Sequence, residues 1–280
     1  MIHDHRQCDL GEGALWHPER KQFFWFDILG RRLLSQDADG APLEWVLDRF
    51  GSAAGWIDRD RLLIATETGL AVLSLADGTL TDVTAVEADN PVTRSNDGRA
   101  DRQGGFWFGT MGKKAEPGAG AIYRYYRGAV RKLVDAITIP NSICFSPDGA
   151  VAHYSDTDRS IVWRQELDAE GWPVGAPQAW LDLSAQGWSP DGAVIDAEGG
   201  FCCAVWGQGA VMRFDADGNR THRLPVGGLH SSCPAFGGPG MAHLLVTTAR
   251  DGIADPDPAQ GKTWRLEPGL TGLPEPRVVL

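Results

Sequence analysis

The hydrophobic positions of this chain fall in short runs that recur along its length. Each copy combines a short strand-like run, an acidic or glycine-rich turn, and a more strongly apolar run that often ends in Asp or Thr. The six copies start at Glu12, Gly55, Asn96, Asn141, Asp191 and Cys233. Their turns fall near residues 18, 58, 101, 148, 196 and 239, so the period is about 40 to 48 residues. This period is typical of one four-stranded blade of a β-propeller.

Further alternating stretches lie between the copies and supply the remaining strands. LAVLSLADGTL, IYRYYRGAVRKL and AVMRFDADGNRTHRL each join two strand-like runs through a short turn, which is the pattern of a β-hairpin. No long helical pattern and no linker-like segment interrupts them. The sequence therefore predicts an all-β fold: a single six-bladed β-propeller domain over residues 1–280, with four antiparallel strands per blade. A sandwich or barrel is the alternative, because similar turns occur in any antiparallel sheet.

Composition agrees with this prediction and narrows the partners. The 35 Gly and 17 Pro suit a fold with many tight turns, and 11 Trp with 10 Phe supply bulky apolar side chains for strands. The formal net charge of −11 repels phosphate backbones, so nucleic acid is not an expected partner. No apolar run approaches the roughly 18 residues of a membrane helix, so no membrane association is expected.

The cysteines and the first residues bear on location. The five Cys are an odd number and show no paired CxxC spacing, which argues against a disulfide framework and a thiolate zinc site. The start, MIHDHRQCDL, lacks the basic and apolar regions of a signal peptide. We therefore expect a reduced, cytoplasmic protein that is a monomer or a weak oligomer.

Oxygen-bearing side chains recur at one position of the repeat. Glu12, Asn96, Asn141 and Asp191 each lie ten or eleven residues before the second apolar run of their copy. Equivalent positions of a closed propeller converge on its central channel, because the blades are related by the propeller axis. The second and sixth copies carry small residues there, Gly51–Ser52 and Ser231–Ser232, which we expect to leave that side of the channel open.

Carboxylates brought together in a channel repel each other unless a cation or a shared proton compensates. Oxygen ligands from Glu, Asp and Asn suit a hard divalent ion, and an open coordination position suits a catalytic one. The alternative is that Asn and Asp make local turns before a strand. Four such residues at equivalent positions, one of them a Glu, favour a metal site.

At these positions the sequence resembles the senescence marker protein/gluconolactonase family, which includes regucalcin and bacterial sugar lactonases. LGEGALWHPERKQFFWFDI resembles the family's opening motif, and RSNDGRADRQGGFWFGTMG resembles its R-x-N-D-G segment ending in G-T-M. IPNSICFSPDG and SPDGAVIDAEGGFCCAVWGQGAVMRFDADG resemble its Asn- and Asp-containing blade starts. The likeness extends from about residue 8 to the end, with the four motifs in the family's order.

The resemblance implies a six-bladed fold and a divalent metal held by Glu12, Asn141 and Asp191. It leaves the ion open among Ca, Zn, Mn, Mg and Fe(II).

The resemblance also implies a set of substrate-binding residues. It places Arg94 and Asn96 in the substrate-binding segment, and Glu116 is the nearest candidate for a family Glu that contacts sugar hydroxyls. Trp206 and Trp188 are candidates for an apolar wall.

The implied reaction is hydrolysis of a sugar lactone, a cyclic ester. A metal can polarise its carbonyl, and Arg94 can hold the ring oxygen or a hydroxyl through its planar set of donors. We predict that Arg94 and Asp191 are catalytic, with Asp191 as the base that activates water; a hydroxide on the metal is the alternative base.

Two other functions stay open at this point. The same scaffold could carry a metal-dependent esterase or organophosphatase that acts on non-sugar substrates, or it could be a non-catalytic calcium-binding propeller. Clustered carboxylates argue against a pure interaction module, and Arg94 with Asn96 favours a sugar substrate.

Overall fold

The computed structural model describes residues 1–280 and consists almost entirely of β-strands, with two short 3-10 turns at Ser184–Gln186 and Pro239–Met241. Its strands form six sheets of four antiparallel strands each. This arrangement confirms the predicted six-bladed propeller. No helix in the structure has the length and apolar character needed to cross a membrane.

The first three blades follow the chain after a short initial strand. The strands are β1 (Ile2–Asp4); β2 (Gly11–His17), β3 (Gln22–Asp27), β4 (Arg32–Gln36) and β5 (Pro42–Val46) in blade 1; β6 (Gly51–Asp58), β7 (Arg61–Thr66), β8 (Gly69–Ser74) and β9 (Leu80–Ala85) in blade 2; and β10 (Thr93–Ala100), β11 (Phe106–Gly112), β12 (Gly120–Tyr126) and β13 (Ala129–Ile137) in blade 3.

The last three blades continue in the same order. The strands are β14 (Pro140–Phe145), β15 (Val151–Asp156), β16 (Ile161–Glu166) and β17 (Gln178–Asp182) in blade 4; β18 (Ser189–Ile195), β19 (Phe201–Trp206), β20 (Ala210–Phe214) and β21 (Arg220–Pro225) in blade 5; and β22 (His230–Gly237), β23 (His243–Ala249) and β24 (Thr263–Leu266) in blade 6.

The initial strand β1 completes blade 6. It pairs antiparallel with β24, with Ile2 opposite Trp264, so the sheet order is β22, β23, β24, β1. The beginning of the chain thereby joins the blade formed by its end, and these backbone hydrogen bonds close the ring. The hydrophobic pattern did not reveal this pairing, because the run at Ile2–Asp4 is too short to be distinguished.

The hydrophobic core consists of six clusters, each centred between two neighbouring blades. Phe24 and Phe26 of blade 1 pack with Leu62 and Ile64 of blade 2, and corresponding groups fill every other gap around the ring. Because successive strand side chains point to opposite faces, an inner strand must be apolar on both. Strand β3 is accordingly buried throughout, whereas the outer strand β5 alternates between exposed and half-buried residues.

Blade 3 and blade 5 each contain a buried ion pair beneath an Asp-x-x-Gly-Gly turn. Asp101 accepts hydrogen bonds from the backbone of its turn and from Arg124 Nε at 2.6 Å, and Asp196 does the same with Arg213 Nε at 2.5 Å. A Cβ at Gly105 would lie 2.6 Å from Arg124 Nε, so the second glycine of the turn makes room for the guanidinium. The repeated turns of the sequence thus carry a structural ion pair in two blades.

The last residues, 271–280, cross the end of the channel opposite the predicted carboxylate ring. Their backbone is hydrogen-bonded to blade 6 at one end, through Gly272 N and Met241 O, and to blade 2 further on, through Val278 N and Trp56 O. Between these points Glu275 forms a buried ion pair with Arg99 of β10. We call residues 271–280 the C-terminal strap.

Candidate active site

A β-bulge interrupts the inner strand of every blade at the corresponding place. In β2 the pairing with β3 shifts between Glu12 and Leu15, and in β14 the pairing with β15 shifts between Asn141 and Cys144. Equivalent shifts occur in β6, β10, β18 and β22. A bulge bends the strand and redirects side chains. The irregularity therefore lies at the repeat position that the sequence predicts for the ligands.

Glycine is required at one of these bulges. Gly13 adopts a φ of 57°, and a Cβ there would lie 2.2 Å from the carbonyl oxygen of Ser52. The backbone of blade 1 can therefore approach blade 2 only without a side chain at this position. The Gly13 N–H donates to Glu12 Oε2 at 3.0 Å, which helps to hold the carboxylate in place.

The four residues predicted to surround the channel and the predicted substrate-binding arginine lie together in one cavity of about 460 Å³. They are Glu12, Arg94, Asn96, Asn141 and Asp191. The remaining wall comes from blades 1, 3, 4, 5 and 6, through Leu10, Met111, Ile139, Thr157, Asp158, Ser160, Ser189, Trp206 and Asp251. A cavity of this size can enclose a small sugar.

The orientation of the Asn141 amide follows from its neighbours. Asn141 Nδ2 lies 2.8 Å from Thr157 Oγ1, and that hydroxyl donates its own proton to the Pro190 carbonyl oxygen at 2.7 Å. Because the Thr157 proton is used, its oxygen must accept from Asn141, and only the NH₂ group can donate. Asn141 Oδ1 therefore points away from Thr157 and is available as a ligand.

Asn96 links Arg94 to Asn141. Arg94 Nη1 donates to Asn96 Oδ1 at 2.9 Å, and Asn96 Nδ2 donates to the Pro140 carbonyl at 3.0 Å and to Asn141 Oδ1 at 3.1 Å. Both amide protons of Asn96 are therefore committed within the protein. One lone pair on its Oδ1 is left for a hydroxyl donor.

Arg94 keeps free donors in the cavity. Its side chain is buried, with 8% of the residue exposed, and Nη1 is bound to the Ser95 carbonyl as well as to Asn96. Nε and Nη2 make no hydrogen bond within the protein. Burial lowers the pKa of Arg94, and the negative charges of Glu12, Asp191 and Asp251 oppose that shift.

The carboxylates of Glu12 and Asp191, from blades 1 and 5, are buried side by side. Burial raises the pKa of Glu12 to about 8, and the charge of Asp97 adds to the effect. The pKa of Asp191 is also raised, first by burial and then by Glu12 and Asp97. Arg94 is the only cation of the cavity wall, so two buried carboxylates face one guanidinium.

These residues fit a divalent cation. A cation would compensate the negative charge of two carboxyls whose pKa values are raised mainly by burial away from water. Glu12, Asp191 and the second lone pair of Asn141 Oδ1, whose other lone pair accepts from Asn96, offer an all-oxygen donor set, which suits hard cations such as Ca²⁺. No group of three or more His, Cys, Asp or Glu with metal-binding geometry occurs in the structure, and Asn141 Oδ1 is the candidate for a third oxygen ligand beside the two carboxylates.

Asp97 supports the site from behind. Its Oδ2 accepts from Ile143 N at 2.7 Å and its Oδ1 accepts from Gly98 N at 2.9 Å, so it joins the bulges of blades 3 and 4. The side chain is buried, which raises its pKa. Sequence reasoning missed this residue because an Asp that follows Asn96 looks like a turn residue.

Three further residues were expected beside the substrate, and of these Trp206 lines the cavity whereas Glu116 and Trp188 do not. Glu116 lies in the β11–β12 loop on the same face as the site but does not line the cavity; its Oε2 accepts from Lys114 N at 3.0 Å. The departure has a physical reason: the loop folds back on itself at this point, so the carboxylate caps its own backbone. Trp206 lines the cavity as expected, but Trp188 does not and packs instead against the core between blades 4 and 5.

The small residues of blades 2 and 6 do not leave an open side. Ser52 is buried and donates to Ser95 Oγ at 2.8 Å, and Ser232 is buried and bonds to Thr247 Oγ1 at 2.9 Å. Their hydroxyls bridge strands and blades, and the space beside them is filled.

Several wall residues were missed by the sequence reasoning. Thr157, Asp158 and Asp251 follow the second strand of their blades, at the chain turns nearest the cavity. The runs HYSDTD and TTARD both end an apolar strand in polar residues, and that shared ending was the available signal.

The chain is a six-bladed propeller whose central cavity is lined by buried carboxylates, a carboxamide and an arginine, as in an enzyme active site. Residues 10–250 match the family described as SMP-30/Gluconolactonase/LRE-like region. The chain belongs to this family, and the resemblance drawn from its motifs is confirmed.

Similar proteins cover nearly the whole chain. It is 41% identical to a protein of Rhizobium meliloti named as a candidate sugar lactone lactonase, over 96% of this chain and 93% of the relative. It is 35% identical to the L-arabinolactonase of Azospirillum brasilense, over 88% of this chain and 83% of the relative. The crystal structure of a calcium-binding protein, regucalcin, from Agrobacterium tumefaciens superposes with a TM-score of 0.97 at 42% identity, covering 100% of this chain and 97% of that one. The lactonase names support the predicted lactone hydrolase.

Proposed function

We propose that this protein is a metal-dependent lactonase that converts a sugar lactone to the aldonic acid in carbohydrate catabolism. Family membership and the relatives named as lactonases support a lactone hydrolase. The observation that carries the proposal is the free Nε and Nη2 of Arg94, in the cavity that also holds Glu12, Asn141 and Asp191. Glu12, Asn141 and Asp191 would hold a cation, and Asp191 would also supply the carboxylate base.

Substrate binding falls to Arg94 and Asn96. The free donors of Arg94 bind the ring oxygen or a hydroxyl of the lactone, and its guanidinium is oriented by Asn96 Oδ1. The remaining lone pair of Asn96 accepts from a sugar hydroxyl. Trp206 contributes an apolar face, to which the carbon-bound side of a sugar ring can pack.

Asp191 handles the proton. Its carboxylate takes a proton from the attacking water while the water oxygen bonds to the carbonyl carbon. The bond between that carbon and the ring oxygen then breaks, and the proton passes to the ring oxygen, which becomes a hydroxyl. Burial and, after it, the negative charge of Glu12 raise the pKa of Asp191, so the Asp191 carboxyl is able to hold the proton between the two events.

The proposed cation is held by Glu12, Asn141 and Asp191. When bound, a divalent cation polarises the lactone carbonyl and stabilises the negative charge that develops on its oxygen. Calcium is the first choice, because the donors are all oxygen and because a similar structure is that of a calcium-binding regucalcin. Zn, Mn, Mg and Fe(II) are the alternatives. All five cysteines are unpaired and buried, which supports a reducing, cytoplasmic location.

The test is a chelated protein to which Ca, Mg, Mn, Zn or Fe(II) is returned while acid release from a panel of aldonolactones is followed. Asp191→Asn and Asn141→Ala are compared with the parent. We expect activity only with metal, and a loss of at least about a hundredfold in Asp191→Asn. Glu116→Gln is the matched control, because its carboxylate lies on the same face but outside the cavity.

The outcomes separate the candidate functions. Full activity after chelation, or in Asp191→Asn, contradicts the proposed mechanism. Activity on aryl esters or organophosphates with none on sugar lactones assigns the site to another esterase. Metal binding without any hydrolysis assigns the protein to the calcium-binding class.

A further inference from the structure

The cavity wall carries four carboxylates and one guanidinium. Glu12 and Asp191 lie deep and buried, beside Arg94. Asp158 and Asp251 are exposed and lie at the mouth, on the turns that follow β15 of blade 4 and β23 of blade 6. Even with a divalent cation bound, the cavity has an excess of negative charge at its opening.

The two mouth carboxylates have little compensating charge, since the buried Arg94 is the one cation of the cavity wall and feels the charge of Asp251 together with those of Glu12 and Asp191. Neither side chain takes part in an ion pair, whereas the neighbouring cations are engaged elsewhere. The Arg250 Nε donates to Asp9 Oδ1 at 2.6 Å, and the Arg159 guanidinium lies 5.2 Å from the ring centre of Trp163. The charges of Asp158 and Asp251 therefore act on whatever enters the cavity.

Asp251 is carried by a fixed segment. Its N–H donates to the Asp9 carbonyl at 2.9 Å, and its carbonyl oxygen lies 2.9 Å from His230 Nδ1. The His230 ring in turn stacks on the Trp206 indole, with ring centres 4.2 Å apart. Because Trp206 lines the cavity, this chain of contacts joins the mouth carboxylate to the wall.

A second observation points to a ligand in the same cavity. Arg94, of which 8% is exposed, keeps Nε and Nη2 without a partner, so the cavity is built to bind an oxygen-bearing molecule. An anionic group on that molecule, away from Arg94 and toward the mouth, would meet only negative charge.

We propose that Asp158 and Asp251 restrict the site to uncharged lactones and promote release of the anionic acid; this inference rests on the proposed lactonase function. The two residues act through space on the charge of the ligand and take no part in bond making. A neutral polyhydroxy ring carries no charge for them to repel, so its binding does not depend on them. A phosphate, sulfonate or carboxylate on the ring is repelled at the mouth.

The test compares two substrates that differ in charge, glucono-1,5-lactone and 6-phosphoglucono-1,5-lactone. The parent, Asp158→Asn, Asp251→Asn and the double variant are measured with both, as kcat/KM at low and high salt. Asn has nearly the shape of Asp, so the variants change charge without opening space. The control is Asp39→Asn, which removes one charge from an exposed turn on the opposite face.

We expect each single variant to raise the ratio of kcat/KM for the phosphorylated lactone to that for the neutral lactone by about fivefold, and the double variant by about twentyfold. The gain should shrink at high salt, and gluconate should inhibit the double variant more strongly than the parent. Activity on glucono-1,5-lactone itself should change by less than about twofold. Asp39→Asn should leave the ratio unchanged.

Two results would overturn the inference separately from the function. A parent that hydrolyses both lactones equally well, or a double variant with the parental ratio, removes the charge selection but leaves the lactonase intact. A parent that hydrolyses neither these two lactones nor any other aldonolactone of the panel, with any metal, removes the proposed function, and this inference fails with it.

Discussion

The hydroxyl of Thr157 lies between the side chain of Asn141 and the carbonyl of Pro190, at 2.8 Å and 2.7 Å. It receives a hydrogen bond from the first and donates one to the second. A wall residue of blade 4 thereby determines which end of the Asn141 amide faces the site, and it also bonds blade 4 to blade 5.

Thr157→Val should weaken cation binding by about tenfold, because the Asn141 amide loses the acceptor that orients it. Val keeps the branched shape, so the fold should be retained. Thr157→Ser keeps the hydroxyl and is expected to bind the cation as the parent does. Isothermal titration calorimetry of chelated protein with Ca²⁺ measures the affinity of each variant. Equal affinity for Ca²⁺ in Thr157→Val and the parent would show that Asn141 needs no such support.

Chelated protein should lose stability as pH rises. Folding raises the pKa of Glu12 from 4.5 to about 8, so between these values the folded chain holds a proton that the unfolded chain has lost. Stability falls with pH wherever the folded state binds more protons. We expect the Tm of the chelated protein to fall by several degrees between pH 5 and pH 8.

Added Ca²⁺ should stabilise the protein more at pH 8 than at pH 5, because the cation replaces protons at the two carboxylates. Thermal unfolding of the parent and of Glu12→Gln checks the assignment. The fall in Tm should be smaller in Glu12→Gln, which has no proton to lose at that position. An equal fall in both proteins would attribute the effect to other groups.

Asp101→Ala should destabilise the fold more than Asp196→Ala. The Asp101–Arg124 pair is fully buried, with neither side chain exposed, so removing the carboxylate strands a buried guanidinium at a cost of about 3–5 kcal/mol. Arg213 keeps a second partner, Glu198, at 3.0 Å, so the cost at Asp196 should be about 1–2 kcal/mol smaller. Chemical denaturation measures the two free energies of unfolding, and equal losses would contradict the argument.

Glu275→Ala should also destabilise the protein, by about 3 kcal/mol, because it leaves Arg99 buried without its partner. Glu267→Ala, on an exposed carboxylate shortly before the strap, is the matched control and should have little effect. If Arg99→Met combined with Glu275→Ala recovers stability, the loss is due to the stranded charge. If it does not, the loss lies in the packing of the strap.

The sequence alone predicts the fold well, since its repeat is encoded by apolar strands and turns that every blade must have. It also identifies the polar positions that converge, because Glu12, Asn141 and Asp191 recur at one place in the repeat. Whether they bind metal stays a prediction. The pairing of β1 with β24 and the path of the C-terminal strap join distant parts of the chain, and no local pattern encodes such contacts.

The other misses arise from the direction of side chains rather than from their position. Glu116 lies on the correct face, but its carboxylate binds Lys114 N in its own loop. Ser52 and Ser232 are small, as read from the sequence, yet their hydroxyls bridge neighbouring groups instead of leaving space. Thr157 became significant only through two hydrogen bonds to residues of different blades.

The C-terminal strap closes one end of the central channel, so the channel is open at the other end only. The space left beside Glu275 is about 20 Å³, which is room for roughly one water and far too little for a sugar. A lactone that enters and an acid that leaves would therefore pass through the same opening. We therefore expect the product acid to inhibit hydrolysis competitively as it accumulates, because substrate and product would occupy the same closed-ended cavity.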